Sequence, residues 1–167
     1  LSGGTTQRVS LDERGAQATA ASGLYRPSAI SDDGRRVVFA SSANLRDHDT
    51  SGYDDLYLHD RFGNTELLTY RSNGVGASSY PPPVPVRHLS GPVISRDGKW
   101  LAFESLASDL VEGDTNGSAD LFLRHVQRES TIRICVNPRS GSTATADVPA
   151  LAFSADARYV VFACASP

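Results

Sequence analysis

The feature that most constrains this chain is an internal repeat. A block reading Ser-x-Asp-Gly-Arg/Lys-x-Val/Leu-x-Phe occupies residues 31–39, returns at 95–103 and returns in altered form at 154–162. A second block, Asp-Thr-x-Gly-x-x-Asp-Leu-x-Leu, occurs at 49–58 and again at 114–123. Blocks kept in constant order and spaced about 60 residues apart indicate a tandem repeat, in which each unit is one supersecondary element.

Each unit is predicted to form four short β-strands. A tight Asp-Gly turn, which can supply the positive φ of a hairpin, joins strand one to strand two. Strand two is rich in Val, Leu and aromatic residues, which favour a pleated sheet. Strand one ends at Ile30 or Ile94, strand two covers 35–41 or 99–105, strand three 55–59 or 120–124, and strand four follows 62–64 or 127–129.

The two faces of strand two are both partly apolar. Val37 and Phe39 share one face, and Val38 and Ala40 share the other, because side chains alternate along a strand. A sandwich sheet keeps one face polar, whereas a propeller blade is covered on both faces by its neighbours. The pattern therefore favours an all-β propeller built from four-stranded antiparallel blades.

The same blocks resemble the repeat of TolB-like six-bladed β-propellers, a family of secreted and periplasmic bacterial proteins. The resemblance covers nearly the whole chain and implies an extracytoplasmic propeller. It implies little about function, because propeller blades serve as scaffolds, as receptors and as non-catalytic parts of hydrolases. The third unit departs from the family pattern, since Ala157 stands where the turn glycine is expected.

A single propeller segment of about two and three-quarter blades is expected. Closed propellers have about four to eight blades. We therefore expect another chain or a longer polypeptide to complete the ring through the open blade edges. If the chain is complete, two copies are expected to form a six-bladed ring. The sequence contains no Met, which predicts a mature product or an excerpt. The predicted segments are 1–26 (strand four of a blade at Thr6–Leu11, then a connection), 27–72 (a blade), 73–90 (a proline-rich connection), 91–137 (a blade) and 138–167 (two strands of a third blade).

The loop between strands two and three carries oxygen side chains in a repeated order. Its spacing resembles the D-x-D-x-D-G-x-x-D calcium loops of integrin-type propellers, and ligands made only of oxygen favour Ca²⁺. The alternative is a set of metal-free Asx-turns, in which the Asp and Asn side chains bond their own backbone. The candidate ligands are Asp47, Asp49, Ser51, Tyr53 (by its carbonyl) and Asp55 in the first loop, and Glu112, Asp114, Asn116, Ser118 (by its carbonyl) and Asp120 in the second.

Other features of the sequence narrow the function. A net charge of −3 argues against a nucleic-acid surface, and no apolar run is long enough to span a membrane. No catalytic residues are predicted, because no nucleophile motif is present and the four histidines are scattered. His59 and His125 are expected to be exposed at strand ends. Cys135 and Cys164 are either two buried small residues or a single bridge.

The sequence therefore predicts a non-enzymatic, secreted or periplasmic propeller module that is stabilised by calcium and that binds a protein partner or another copy. The proline-rich segment 80–86 is predicted to emerge on the same face as the calcium-type loops, which would make this face a partner surface. Two alternatives stay open. One is the propeller domain of a hydrolase or lyase, and the other is the subunit of a strand-exchanged polymer.

Overall fold

The computed structural model consists of two four-stranded antiparallel sheets followed by a two-stranded one. It describes residues 4–20, 22, 28–47, 49, 55–69, 91–117, 119–135 and 151–163. Within these ranges no helix is long and apolar enough to cross a membrane. The strands are β1 (Ala29–Ile30), β2 (Arg36–Ser41), β3 (Asp55–Asp60), β4 (Thr65–Leu67), β5 (Val93–Ile94), β6 (Trp100–Ser105), β7 (Asp120–His125), β8 (Ser130–Arg133), β9 (Leu151–Phe153) and β10 (Val160–Phe162).

The two complete sheets repeat the same strand order and register. The first sheet runs β1-β2-β3-β4 and the second β5-β6-β7-β8, so every neighbour in the sheet is also the neighbour in sequence. Phe39 lies opposite Tyr57 in the first sheet, and Phe103 lies opposite Phe122 in the second. These ring pairs are stacked, with centroids 5.9 and 5.7 Å apart. The four-stranded antiparallel unit predicted from the repeat is confirmed.

The sheets pack face to face, as propeller blades do. Val38 and Leu58, on one face of the first blade, belong to the same buried cluster as Phe103 and Phe122, on the facing side of the second. The first strands β1, β5 and β9 lie side by side, which places them along a common inner edge. Because the two complete sheets bury both of their faces, strand two is apolar on both sides in each of them. The all-β propeller prediction is confirmed.

The opposite face of the first blade is covered by the N-terminal segment. Val9 and Ala18 pack against the buried side chains of Phe39, Tyr57 and Leu67. The prediction of a strand at Thr6–Leu11 is wrong, since these residues carry only an isolated bridge from Leu11 to Gln17. A fourth strand needs the third strand of its own blade to pair with, and no such strand lies beside this segment among the described residues.

A buried cysteine lies where the second blade meets the third. Cys135 is 4% exposed and packs with Leu121, while Leu151 and Phe162 contribute from the third blade. Cys135 is disulfide-bonded, so of the two alternatives the bridge is the one that the structure contains. The only other cysteine of the sequence, Cys164, lies outside the described residues.

The Ser-x-Asp-Gly block forms one hydrogen-bonded turn in every unit. In the first unit the Ser31 hydroxyl donates to Asp33 Oδ1 at 2.6 Å, and the same carboxylate oxygen accepts the Arg35 amide at 2.9 Å. The Ser31 hydroxyl also accepts the Arg36 amide at 3.0 Å. The equivalent Ser–Asp hydrogen bonds of the other units are Ser95–Asp97 at 2.7 Å and Ser154–Asp156 at 2.6 Å. The block recurs because both side chains satisfy the backbone of the turn.

The glycine of the second turn also touches the first blade. Arg36 Nη1 donates to the Gly98 carbonyl at 2.7 Å, and a Cβ at Gly98 would lie 2.9 Å from Arg36 Cδ. An ion pair joins Arg96 to Asp32 across the same gap. Glycine is needed at 98 both for its φ of +68° and for this close approach.

Replacing Ala157 by glycine is expected to stabilise the protein by about 1 kcal/mol. Ala157 has a φ of +55°, close to the +66° of Gly34 in the equivalent turn, and an L side chain is strained there. Chemical denaturation of the A157G variant measures the gain. The matched control is Gly34→Ala, which should lose a similar amount although nothing lies within 4 Å of the added Cβ. A destabilised A157G variant would contradict this reading of the turn.

Acid is expected to destabilise the fold through the turn carboxylates. The Ser31 hydroxyl lowers the pKa of Asp33, and the Ser154 hydroxyl lowers that of Asp156. Burial acts to raise the pKa of Asp97, but hydrogen bonds from Ser95 and Lys99 outweigh it and the pKa is lowered.

The pKa of each of these carboxyls is thus lower in the folded chain than the value of about 3.9 expected in the unfolded chain. Between the two values the unfolded chain binds more protons, so stability rises with pH. The contribution is complete above about pH 4 and is lost as the pH falls through the folded values. Melting temperatures measured between about pH 2 and 6 test this, and a Ser95→Ala variant should depend less on pH over that range than the parent protein.

Candidate functional site

The predicted calcium loops follow β2 and β6, and the structure brings part of each loop against its own blade. In the first loop Asp49 and Asp55 are each 2% exposed, whereas Asp47 is exposed. The other two predicted ligands of this loop, Ser51 and Tyr53, lie outside the described residues. The first loop therefore directs two of its three described carboxylates inward.

The Asp49 carboxylate is held by a tyrosine of β3. The Tyr57 hydroxyl donates to Asp49 Oδ2, and the same hydroxyl oxygen lies 3.0 Å from the Ala43 carbonyl and accepts the Leu45 amide at 3.3 Å. Burial raises the pKa of Tyr57, and its hydrogen bond to Asp49 raises it further. The phenol therefore stays protonated and acts as a donor that ties the loop to the blade.

The Asp55 carboxylate is held by Thr69, which lies two residues after the end of β4. The Thr69 hydroxyl donates to Asp55 Oδ1 and accepts the Leu56 amide at 3.2 Å. Thr69 is 5% exposed, so this contact lies inside the blade. Both buried carboxylates of the first loop thus receive a neutral hydroxyl donor.

The second loop is built differently around the same carboxylates. Asp114 and Asp120 have buried side chains, with exposed fractions of 2% and 0%, while Glu112 is exposed. The Asn116 amide donates to Asp120 Oδ1 at 3.4 Å. Arg133 Nη1 lies 3.2 Å from Asp114 Oδ1 and 3.6 Å from Asp120 Oδ2. The remaining predicted member, Ser118, lies outside the described residues.

The calcium ligands stay a prediction. Among the residues that the structure describes, no three His, Cys, Asp or Glu side chains form a group placed to hold a metal ion. The first loop offers oxygen donors of the right kind, with carboxylates already turned inward. The second loop has a guanidinium beside the two carboxylates that a metal ion would need.

Tyr57 and Arg133 contact the loop carboxylates, and the motif spacing does not reveal these contacts. Tyr57 was placed in a strand, where a tyrosine is expected to contribute packing. Arg133 was placed in the repeat of strand four, whose first copy has Leu67 at the same position. The sequence gives one signal of the Arg133 contact, which is the replacement of an apolar residue by a cation between two otherwise similar units.

A polar cleft lies between the N-terminal segment and the first blade. It has a volume of about 670 Å³ and includes Glu13, Arg46 and His59 in its lining. Arg46 is 8% exposed; its Nε donates to the Thr65 carbonyl, and its Nη1 donates to the Leu45 carbonyl at 2.8 Å.

The prediction that His59 and His125 are exposed is wrong, because they are only 9% and 8% exposed. His59 Nδ1 lies 3.0 Å from Thr65 Oγ1, and burial lowers the pKa of His59. His125 packs edge-on against Trp100, with centroids 4.5 Å apart. Strand periodicity alone does not reveal these contacts, which come from Thr65 for His59 and from Trp100 for His125.

Comparison with known proteins finds similarity among solved structures. No protein-family model matches the chain, and no curated protein matches it in sequence. Among solved structures it is similar to TolB from Acinetobacter baumannii, with 18% identity and a TM-score of 0.48, over 84% of this chain and 26% of that one.

Two other solved structures are similar at the same level. A putative TolB from Agrobacterium tumefaciens has 22% identity and a TM-score of 0.45, over 83% of this chain and 39% of that one. The β-propeller domain of the Trilobed protease from Pyrococcus furiosus has 14% identity and a TM-score of 0.46, over 81% of this chain and 32% of that one. The chain spans between 26% and 39% of the length of these three structures.

Proposed function

We propose that this chain is a non-enzymatic, extracytoplasmic propeller module for protein binding or assembly, whose third blade is completed by another chain, here tested as a second copy, or by a longer polypeptide. The observation that carries the proposal is the exposure of Val161. This residue is 66% exposed, whereas its equivalents Val38 and Ala102 are both 0% exposed, and Val38 belongs to the cluster that joins the first blade to the second. The third blade thus presents a face that the other two blades bury.

The edge of the same blade supports this function. β10 pairs with β9 alone among the described strands, whereas the equivalent strands β2 and β6 each pair on both sides. An unpaired strand edge has a row of N–H and C=O groups that recruits another strand. A partner that adds a strand with the pattern of β3 or β7 would complete the hydrogen bonding and cover Val161. The disulfide at Cys135 supports an oxidising, extracytoplasmic compartment.

Light scattering at micromolar concentration tests the assembly. The expected result is a mass that is a multiple of the single chain, reduced to one chain by Val161→Asp. Phe62→Asp is the matched control, because Phe62 is 76% exposed in a hairpin of the first blade, away from β10. A strictly monomeric parent protein would overturn the proposal of self-association, and filaments in electron micrographs would support a strand-exchanged polymer.

We also propose that Ca²⁺ stabilises the module at the first loop, through Asp47, Asp49 and Asp55 together with Ser51 and the Tyr53 carbonyl. What supports this is a set of hard oxygen donors in which two carboxylates are already buried. The hydroxyls of Tyr57 and Thr69 orient these carboxylates without neutralising their charge. Extracellular calcium at millimolar concentration can saturate even a weak site.

Addition of Ca²⁺ to chelator-treated protein is expected to raise the melting temperature by several degrees, because a ligand at about 100 times its Kd adds about 2.7 kcal/mol. Calorimetry and thermal denaturation measure the effect, and Asp49→Asn should abolish it. Mg²⁺ at the same concentration is the control for ionic strength. Neither heat nor a shift in melting temperature on adding Ca²⁺ would remove the claim.

A further inference from the structure

The two loops differ in what holds their buried carboxylates. Asp49 and Asp114 are equivalent in the repeat, as are Asp55 and Asp120. In the first blade a tyrosine hydroxyl reaches the first carboxylate and a threonine hydroxyl reaches the second. In the second blade one guanidinium nitrogen of Arg133 lies within 3.6 Å of both carboxylates.

Three exchanges between the blades account for this difference. Tyr57 is replaced by Phe122, and Thr69 is replaced by the disulfide-bonded Cys135, so the second blade lacks both hydroxyl donors. Leu67 is replaced by Arg133, which adds a cation. The cross-strand register places Tyr57 opposite Leu67 and Phe122 opposite Arg133. The side chain that reaches the first carboxylate therefore comes from strand three in the first blade and from strand four in the second.

The charge of Arg133 is important because the guanidinium and both carboxylates are largely buried. The side chains of Asp114 and Asp120 are 2% and 0% exposed, and that of Arg133 is 13% exposed. Two buried carboxylates need polar or charged groups beside them, and Arg133 Nη1 places a positive charge 3.2 Å from Asp114 Oδ1 and 3.6 Å from Asp120 Oδ2. Arg133 would also compete with a metal ion for the same oxygen atoms, because its Nη1 already lies against Asp114 Oδ1 and Asp120 Oδ2.

We propose that Arg133 is the built-in cation of the second loop and that it takes the place there of the Ca²⁺ proposed for the first loop. The part that concerns the first loop rests on the calcium proposal above. The part that concerns Arg133 rests on its own contacts and stands whether or not the first loop binds a metal ion.

Thermal denaturation tests the role of Arg133. Arg133→Leu is expected to lower the melting temperature by roughly 10 °C, because two buried carboxylates lose their cation. Arg128→Leu is the matched control, since Arg128 is exposed in the hairpin that precedes the same strand. The double variant F122Y/R133L rebuilds the Tyr–Leu pair of the first blade, and it should recover at least half of the loss by returning a donor to Asp114.

The double variant also keeps the test informative if Arg133→Leu alone does not fold. A melting temperature of R133L equal to that of R128L, or an F122Y/R133L variant no more stable than R133L, would overturn the role of Arg133.

Metal titration tests selectivity. Calorimetry with Ca²⁺ on the parent protein is expected to show one site per chain, lost in Asp49→Asn and unchanged in Asp114→Asn. Calcium binding that weakens in D114N would overturn the selectivity. A parent protein that binds no calcium at all would refute the proposal for the first loop, while the melting temperatures of the Arg133 variants would still decide the role of Arg133.

Discussion

Replacing Phe103 by alanine is expected to destabilise the protein by about 3–5 kcal/mol. Phe103 is 1% exposed, stacks on Phe122 across the sheet and belongs to the cluster that joins the first blade to the second. Its removal leaves a cavity between two sheets. Because hydrogen bonds hold each sheet in its own register, the two sheets can close this cavity only in part. Chemical denaturation with a two-state fit measures the loss.

The control for this variant is Phe62→Ala, which removes the same side chain from an exposed position. Phe62 is 76% exposed in the hairpin between β3 and β4, with the guanidinium groups of Arg35 and Arg61 over its ring. A loss below about 1 kcal/mol is expected there. If the two phenylalanine variants lost equal amounts, the packing of the first blade on the second would not be what stabilises the fold.

Removing the disulfide is the other change with a large expected effect. A Cys135→Ala/Cys164→Ala variant should lose about 2–5 kcal/mol, since native bridges of small secreted domains contribute this much. Cys135 is 4% exposed and packs with Leu121 beside the third blade, so the loss should fall on the junction of the second and third blades. Thermal denaturation with and without a reductant measures it.

The same variant provides its own control. A reductant should lower the melting temperature of the parent protein and leave that of the double variant unchanged. A parent protein that melts at the same temperature as the variant in the absence of a reductant would show that the bridge contributes nothing to stability.

Much of the fold could be predicted because the same local sequence pattern occurs in three units. The turn at Ser31 and Asp33 depends on residues within five positions of one another, and its hydrogen bonds recur at the same spacing in every unit. The placing of apolar side chains on both faces of strand two follows from the sequence alone, because residues two apart on a strand share a face. The predicted strand at Thr6–Leu11 failed because pairing requires a second strand, which no local pattern supplies.

The candidate site was predicted only in part. Spacing placed Asp49, Asp55, Asp114 and Asp120 in equivalent loops, and burial of all four side chains agrees with their common position in the repeat. The spacing did not say what lies against them. Asp49 meets a residue of β3 and Asp120 meets a residue of β8, each determined by the register of the sheet.

By itself the sequence determined the blades, since the turns and the alternation of apolar side chains are properties of neighbouring residues. Only the tertiary structure decided that Arg133 lies against both carboxylates of the second loop, that Tyr57 serves the first loop, and that His59 is buried. Each of these outcomes depends on long side chains from different strands reaching one point. Whether two such side chains meet depends on how the strands pair and how the sheets stack, and not on the separation of the residues along the chain.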